Sequence, residues 1–267
     1  MVWVILIFLL VAILIFIRKT TTYDYDYDCF LLTLPESKER QRKFFRNHNK
    51  NIPMEVVYGK NTKNIKVARE YENIVDSEYF EKAVEMYYNS EVMRPDITYF
   101  NLGAIGAYMG HTGIMKKCID RGLKYALIFE DNVIIKRNKL YNEVQKVIDE
   151  LGDNFEMCFF HCLSRIPTEV EGDLERVVWV SSMKCYLINV QNMKKYMKYY
   201  FPIDNHVDNK TEDIIAKGAR VYYKDLRKYM RIDRSGPSTI GHSDHGRKHY
   251  FSRQNPSATP DDVIFGY

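Results

Sequence analysis

Two adjacent acids and an amide, Glu130, Asp131 and Asn132, directly follow the apolar run 125–129. A continuous apolar run of this length is typical of a parallel strand that is buried on both faces. Open α/β sheets bind ligands at the carboxyl ends of such strands, and side-chain oxygens there can hold a divalent cation. The alternative is a polar turn that leads away from the strand.

Four glycines, Gly103, Gly106, Gly110 and Gly113, are spaced by three, four and three residues, which places them on one face of a helix. Each glycine inside a helix costs about 1 kcal/mol relative to alanine. Either the helix packs its backbone closely against a sheet, or the glycines leave room for a flat ligand beside His111. The segment has neither a phosphate-binding loop nor the G-x-G-x-x-G dinucleotide fingerprint.

A third candidate is the loop 201–208, which carries two acids, Asp204 and Asp208, between two helical stretches. A carboxylate on such a loop can act as a general base if its pKa suits the task. Capping of the following helix is the alternative role for either acid.

The elements that would position these residues alternate between strands and helices. Apolar runs predict strands at 30–34, 54–58, 125–129, 155–161, 176–181, 185–190 and 220–224. Helices are predicted at 35–48, 101–121, 138–151, 191–200 and 209–217, with a further helical stretch without clear breaks at 66–92. This alternation predicts a single α/β domain with a mostly parallel sheet and no dividing linker.

The composition is that of an ordinary globular protein, with 46% hydrophobic and 28% charged residues among 267. It excludes collagen-like and wholly disordered chains. The formal charge of +4 is too small to indicate a protein that coats nucleic acid. Five cysteines, an odd number without regular spacing to histidines, do not favour a disulfide framework or a zinc site and fit a reducing compartment.

Positive charge is concentrated near the C-terminus, where residues 217–253 contain ten Lys or Arg and three Asp. Such a segment suits an anionic ligand such as a diphosphate, and a solvated charged surface is the alternative. We expect residues 241–267 to form a basic C-terminal segment that acts as a lid over the site.

Residues 2–17 are sixteen consecutive apolar residues, followed by Arg18 and Lys19. A helix of this length is roughly 24 Å long at ~1.5 Å per residue, slightly short of the ~30 Å hydrocarbon core of a bilayer. No basic residue precedes the run and no small-residue cleavage site follows it, so a membrane anchor at 1–19 is favoured over a cleaved signal peptide. The positive flank predicts a single-pass protein whose soluble domain faces the cytosol, after a low-complexity spacer at 20–27.

Five segments, at 29–40, 102–111, 122–132, 185–188 and 202–208, share their order and spacing with the motifs of one known family. The second segment resembles Gly-x-x-Gly-Cys-x-x-Ser-His, and the third resembles Gly-x-x-x-Ala-Leu-Ile-x-Glu-Asp-Asp. The first resembles a strand before an Arg-rich helix, the fourth a late tyrosine strand, and the fifth Pro-Ile-Asp-x-x-Val-Asp. Together they resemble glycosyltransferase family 25, which contains bacterial lipooligosaccharide galactosyltransferases and procollagen galactosyltransferases.

This resemblance implies a GT-A-type nucleotide-sugar-binding domain at 28–240, a UDP-sugar donor, a divalent cation such as manganese, and inversion at the anomeric carbon. The residues that it places at the donor are Thr33, Leu34, Arg40, Gly106, His111, Glu130 and Asp131. The predicted metal ligands are Asp131, Asn132 and, from the C-terminal segment, His242. Asp208 in the first place, and Asp204 in the second, would act as catalytic base on the acceptor side.

Two positions depart from the family pattern. The serine before the histidine is replaced by Gly110, and the last acid of the metal motif is replaced by Asn132. An amide oxygen can ligate a hard cation, but it adds no charge to offset that of the ion. Either metal binding is weak, or Asp131 takes over, or the catalytic site is impaired.

The function predicted from these features is a membrane-anchored glycosyltransferase that moves galactose or glucose from a UDP-sugar to a hydroxyl of a glycan or protein, without a nucleic-acid partner. A carboxylate would take the acceptor proton, while a cation or basic side chains stabilise the leaving diphosphate. One alternative is a binding or scaffold protein descended from such an enzyme, for which Asn132 is the main argument. The other is an unrelated membrane-tethered α/β domain whose basic segment binds anionic lipid or polymer.

Overall fold

The computed structural model describes residues 25–88, 100–233 and 264–265, which form an α/β fold. The strands are β1 (Tyr27–Thr33), β2 (Glu55–Tyr58), β3 (Tyr125–Glu130), β4 (Val133–Ile135), β5 (Met157–His161), β6 (Ser164–Glu171), β7 (Leu174–Ser181), β8 (Cys185–Asn189), β9 (Val221–Lys224), β10 (Met230–Ile232) and β11 (Ile264–Phe265). The helices are α1 (Lys38–Asn47), α2 (Ile65–Ala68), α3 (Ser77–Tyr88), α4 (Leu102–Asp120), α5 (Lys139–Leu151), α6 (Val190–Met193) and α7 (Lys210–Ala216), with 3₁₀ helices at Arg69–Ile74 and Lys194–Tyr200.

Nine of these strands form one sheet in the order β11-β6-β7-β9-β5-β8-β3-β1-β2, and β4 pairs separately with β10. Strands β2, β1 and β3 are parallel neighbours, and so are β5 and β9. Strand β8 lies between β3 and β5 and is antiparallel to both. The pairings of β7 with β9, of β6 with β7 and of β11 with β6 are also antiparallel. The predicted parallel strands are therefore present, but the sheet is mixed, because β8 and the strands beyond β9 pair in the opposite direction.

Strand β3 shows why its apolar run is continuous. Successive side chains of a strand point to opposite faces of the sheet. Ala126 and Ile128 pack into one hydrophobic core, and Leu127 and Phe129 pack into the other. Helix α4 covers the first core, whereas α1 and α5 cover the second. Both faces of this strand are thus buried, as the apolar run predicts.

Helix boundaries follow local signals. Helix α4 begins after Asn101, whose side-chain oxygen accepts a hydrogen bond from the backbone N–H of Ala104 at 3.0 Å, a typical N-cap. Helix α5 ends at Gly152, which adopts a φ of 55° that glycine tolerates. Between its ends, α5 buries one stripe that includes Leu140 and Val144.

Most predicted elements correspond to observed ones, and the exceptions have physical reasons. The predicted helices at 101–121, 138–151 and 209–217 are α4, α5 and α7. The predicted helix at 191–200 is α6 followed by a 3₁₀ helix, and the helical stretch from residue 66 divides into α2, a 3₁₀ helix and α3. Strand β6 is not predicted, because its second half is exposed and its conformation depends on pairing with β7.

Within residues 25–88, 100–233 and 264–265, no helix is both long and apolar enough to cross a membrane. The predicted anchor at 1–19 and most of the spacer lie outside the described residues. The same holds for the C-terminal segment, including His242, apart from β11. These three features therefore stay predictions.

Candidate functional site

A cleft of about 530 Å³ opens where the carboxyl ends of β1 and β3 meet α4. β1 and the residue after it contribute residues 32–34, the loop after β2 contributes 59–62, and the end of β3 contributes Glu130 and Asp131. The residues contributed by α4 are Gly103, Gly106, Ala107 and His111. The carboxyl ends of strands are where α/β sheets bind ligands.

The residues that the family resemblance places at the donor come together here. Those that line the cleft are Thr33, Leu34, Gly106, His111, Glu130 and Asp131. Arg40, on α1, contacts the cleft through Asp131. Their roles in binding stay predictions, but their position at one site does not depend on any assumption about the ligand.

Asp131 is nearly buried and has two donors. The Thr33 hydroxyl donates a hydrogen bond to Oδ2 of Asp131 at 2.7 Å, and Nη1 of Arg40 lies 3.3 Å from Oδ1. Burial is the largest influence and raises the pKa of Asp131, and the negative charge of Glu130 acts in the same direction. The Thr33 hydrogen bond and the Arg40 charge oppose this rise without cancelling it.

Glu130 has the opposite pKa shift, although it is the neighbouring residue. Its Oε2 lies 2.7 Å from Nζ of Lys184, and its Oε1 lies 3.4 Å from Nε2 of His111. Burial acts to raise the pKa of Glu130, but the charge of Lys184 and the hydrogen bond with His111 outweigh it and lower the pKa to about 2. Glu130 is therefore ionised at neutral pH and paired with a cation.

His111 connects this acid to the sheet. Its Nδ1 lies 2.9 Å from the hydroxyl of Tyr186 on β8, and its Nε2 faces Glu130. The chain Tyr186–His111–Glu130–Lys184 thus joins β8, α4 and the end of β3. A side chain held by such partners is pre-organised, because little freedom is left to lose when a ligand binds.

Close packing explains two of the four glycines of α4. A Cβ at Gly106 would lie 2.5 Å from Oγ1 of Thr62 and 2.6 Å from the carbonyl oxygen of Lys60. A Cβ at Gly110 would lie 2.8 Å from a methyl carbon of Leu32. Gly106 also lines the cleft. At this residue, the missing Cβ therefore both allows close packing and leaves room in the cleft.

Thr62 inserts its hydroxyl into the first turns of α4. The hydroxyl donates a hydrogen bond to the carbonyl oxygen of Leu102 at 2.6 Å and accepts one from the backbone N–H of Gly106 at 2.8 Å. These two groups are four residues apart, so the hydroxyl enters the hydrogen-bond ladder of the helix. The loop 59–62 is thereby held against α4 on one side of the cleft.

The described residues do not supply a metal site of the kind that the family resemblance implies. No group of three or more His, Cys, Asp or Glu side chains in this part of the chain could hold a metal ion. Both oxygens of Asp131 have a donor, Glu130 is paired with a lysine, and the amide oxygen of Asn132 is buried without a hydrogen-bond partner among the described residues. A hard cation requires several oxygen ligands, and the third predicted ligand, His242, lies outside the described residues, so the manganese site stays a prediction.

The two predicted base residues lie outside the described lining of the cleft. Asp204 is 43% exposed and pairs with the buried Lys210 at 2.6 Å. Asp208 accepts a hydrogen bond on Oδ2 from the backbone N–H of Ser182 at 2.6 Å. Ser182 lies two residues before Lys184, so Asp208 is connected to the cleft through this short segment, whereas Asp204 belongs to a different ion pair.

Several contacts at the cleft come from residues that the sequence patterns do not single out. Lys184 is an isolated basic residue before an apolar strand, and Thr62 is one polar residue in a polar loop. Gln41 donates a hydrogen bond to the carbonyl oxygen of Leu34 at 2.8 Å. No local sequence pattern marks these three residues as part of a site. Tyr186, in contrast, belongs to a segment that the family resemblance identifies.

Several solved structures align with part of this chain. A UDP-glucose pyrophosphorylase complexed with UDP-glucose has 9% identity and a TM-score of 0.41, over 74% of this chain and 90% of that one. A UTP-bound UGPase from Acinetobacter baumannii has 9% identity and a TM-score of 0.42, over 75% and 86% of the two chains. A glycosyltransferase involved in the glycosylation of the major capsid of PBCV-1 has 10% identity and a TM-score of 0.30, over 64% and 63%.

The family assignment rests on the amino-acid sequence. No curated protein matches the chain. The protein-family model described as "Glycosyltransferase family 25 (LPS biosynthesis protein)" matches residues 27–211. These residues extend from β1 into α7 and include the whole described cleft. With more than half of its length matched, this chain belongs to glycosyltransferase family 25, as its motifs predict.

Proposed function

We propose that this chain is a hexosyltransferase with a GT-A-type fold that transfers galactose or glucose from a UDP-sugar to a hydroxyl of a glycan or protein, with inversion. The observation that carries the proposal is the cleft at the carboxyl ends of β1 and β3, whose wall contains Thr33, His111, Glu130 and Asp131. These are the positions at which the family resemblance expects the nucleotide sugar. A cleft at this edge of an α/β sheet suits a nucleotide.

The side chains of the cleft suit the chemistry of sugar transfer. The carboxylates of Glu130 and Asp131 can accept hydrogen bonds from hydroxyls of the donor. In an inverting displacement, the acceptor oxygen forms a bond to the anomeric carbon while the bond from that carbon to the diphosphate oxygen breaks, and UDP leaves with the electron pair. A base removes the acceptor proton, and positive charge stabilises the departing diphosphate.

We assign the role of base to Asp208 first and to Asp204 second. The hydrogen bond from the backbone of Ser182 orients the Asp208 carboxylate. Asp204 is instead bound to Lys210, and a carboxylate neutralised by a lysine is a poorer proton acceptor. This difference in partners supports Asp208 as the first choice.

The N-terminal apolar run supports a location at a membrane. Residues 2–17 would form the anchor, and Arg18 and Lys19 favour a domain on the cytosolic side. The cleft would then face a cytosolic pool of nucleotide sugars.

A non-catalytic binding protein descended from the family is the second candidate. It is favoured by Asn132, which stands where the family has an acid. Such a protein would bind a UDP-sugar without releasing UDP from it. Turnover therefore distinguishes the two candidates, and binding alone does not.

Two measurements on the purified full-length chain in detergent test the proposal. Calorimetric titration should show tighter binding of UDP than of GDP or CMP, because the uridine is expected to be recognised in the cleft. Incubation with UDP-galactose or UDP-glucose should release UDP. Binding without release would favour the non-catalytic candidate, and equal affinity for all three nucleotides would contradict a uridine site.

A pair of variants places the nucleotide. Ala107→Trp puts an indole into the cleft and should weaken UDP binding at least about tenfold, or ~1.4 kcal/mol. Lys116→Trp is the matched control, because Lys116 lies on the same helix with 72% of its side chain exposed. Unchanged UDP affinity in Ala107→Trp would show that the nucleotide binds elsewhere.

A further inference from the structure

His111 lies in the wall of the cleft, and each of its two ring nitrogens faces a different side chain. Its Nδ1 lies 2.9 Å from the hydroxyl of Tyr186, and its Nε2 lies 3.4 Å from Oε1 of Glu130. The His111 side chain is only 1% exposed. These two partners, and not bulk water, therefore decide which nitrogen carries the proton.

The partner of Nε2 decides first. Glu130 is paired with the ammonium of Lys184 at 2.7 Å, and a carboxylate in such a pair can only accept hydrogen bonds. A lone pair on Nε2 would face this negative charge and be repelled, so the proton lies on Nε2. Because Lys184 already balances the charge of Glu130, no second cation is needed on His111. In the neutral imidazole, Nδ1 is then the acceptor.

Tyr186 supplies the donor that this acceptor requires. Its side chain is fully buried on β8, and its ring stacks on Phe159 with the centroids 5.7 Å apart. The core thus fixes the place of the hydroxyl, which donates its hydrogen to Nδ1 of His111. Without this hydroxyl, Nδ1 would be a buried acceptor with no donor from β8, and the ring would lose one of its two attachments.

We propose that Tyr186 is a positioning residue, whose hydroxyl holds His111 so that His111 and Lys184 fix the Glu130 carboxylate to accept a hydrogen bond from a hydroxyl of the donor. The inference rests on the proposed function, because Glu130 lines the cleft that is assigned to the UDP-sugar. A carboxylate has about four lone-pair sites, so its two partners leave room for a ligand hydroxyl. Both the hexose and the ribose of a UDP-sugar carry such hydroxyls.

Nitrogen NMR spectroscopy of the full-length chain with isotope-labelled histidine tests the contact between Tyr186 and His111. The signals of His111 are those that disappear in His111→Gln. In the wild type we expect a proton on Nε2 and none on Nδ1, and in Tyr186→Phe the Nδ1 signal should move to the position of a nitrogen without a hydrogen bond. A proton on Nδ1 in the wild type, or an Nδ1 signal that does not move in the variant, overturns the inference.

Calorimetric titration with UDP and with UDP-galactose tests the effect on the donor. The affinity of Tyr186→Phe for UDP-galactose should fall roughly fivefold, as for the loss of one hydrogen bond. Tyr141→Phe is the matched control, because the Tyr141 hydroxyl lies 2.6 Å from Nδ1 of His48 in a second buried pair outside the described cleft lining. Its affinity should stay within about twofold of the wild type.

The two ligands also identify the hydroxyl that Glu130 accepts. A loss for UDP-galactose alone assigns it to the hexose, and an equal loss for UDP assigns it to the ribose. Equal affinities of Tyr186→Phe and Tyr141→Phe for both ligands overturn the inference and leave the proposed function standing. Absence of binding of both ligands to the wild type overturns the inference and the proposed function together.

Discussion

Two neighbouring acids, Glu130 and Asp131, acquire opposite properties from their surroundings. Their side chains leave the end of β3 in different directions. Glu130 reaches Lys184 and His111, and the cation holds its pKa at about 2. Asp131 reaches Arg40 at a longer distance of 3.3 Å, and burial keeps its pKa raised. The surroundings of each side chain, and not the residue type, decide the direction of its pKa shift.

Lys184→Met removes the cation from Glu130 and should destabilise the fold by about 3 kcal/mol at neutral pH, as expected for breaking a buried ion pair. The pKa of Glu130, about 2, lies below its ordinary value of 4.5. Its pairing therefore stabilises the fold above about pH 4.5, and this contribution is lost as the pH falls towards about 2. The difference between wild type and variant should narrow in acid. Urea denaturation at neutral pH and at about pH 3 measures both effects.

The control for this substitution is Lys116→Met. Lys116 pairs with Asp120 on the surface of α4, where both side chains are more than half exposed. Exposed ion pairs contribute about 0.2–1 kcal/mol, so the two variants should differ by ~2 kcal/mol or more. Equal losses, or a difference that persists in acid, would show that Lys184 does not act through Glu130.

At the scale of elements, α4 and the loop 59–62 form one unit. The Thr62 hydroxyl bridges two backbone groups of the helix, and the carbonyl of Lys60 approaches the helix at Gly106. Glycine is normally unfavourable inside a helix. Here the missing Cβ lets the loop approach the helix backbone, and the loop forms one wall of the cleft.

Gly106→Ala should destabilise the fold and weaken UDP binding, because its Cβ would lie 2.5 Å from Thr62 and 2.6 Å from Lys60. Overpacking of this kind costs about 1–3 kcal/mol. Gly113→Ala, on the same helix, is the control: a Cβ there would meet nothing within 4 Å, so higher helix propensity should stabilise the fold by up to about 1 kcal/mol. Thermal unfolding followed by circular dichroism, together with UDP titration, compares the two. If Gly106→Ala were as stable as Gly113→Ala, the loop would not be held by close packing.

At the scale of the whole molecule, β1 joins both cores. It pairs in parallel with β2 on one side and with β3 on the other. Phe30 packs into the core under α4, and Leu31 packs into the core under α1 and α5. Both side chains are fully buried. The first described strand, β1, therefore belongs to both cores. Residues 1–19, before the spacer, are instead predicted to lie in a membrane.

Removal of residues 1–19 should leave the free energy of unfolding and the UDP affinity unchanged, because the predicted anchor would belong to the membrane and to neither core. Removal of residues 1–33 should abolish folding, because β1 links β2 to the rest of the sheet and packs into both cores. Circular dichroism, urea denaturation and size-exclusion chromatography without detergent measure both. Aggregation of the chain that lacks residues 1–19 would place this segment in the fold and contradict the anchor.

Local patterns in the sequence determined most of the elements and the edge of the sheet at which the cleft lies. The apolar run 125–129 predicted a buried strand, and the polar residues after it marked the carboxyl end of that strand. The segment 101–121 predicted a helix, and its glycine spacing predicted either close packing against the sheet or room for a ligand. These features can be predicted because hydrophobic periodicity and strand ends depend on neighbouring residues alone.

Only the tertiary structure decided which groups meet in the cleft. Lys184 and Glu130 are 54 residues apart, and Thr62 and Leu102 are 40 residues apart. The sequence also did not determine that β8 is antiparallel to its neighbours, because a buried strand has the same apolar pattern in either direction. The charge state of an acid and its capacity for metal depend on charges within a few ångströms. Folding brings those charges from distant parts of the chain, so no local pattern carries them.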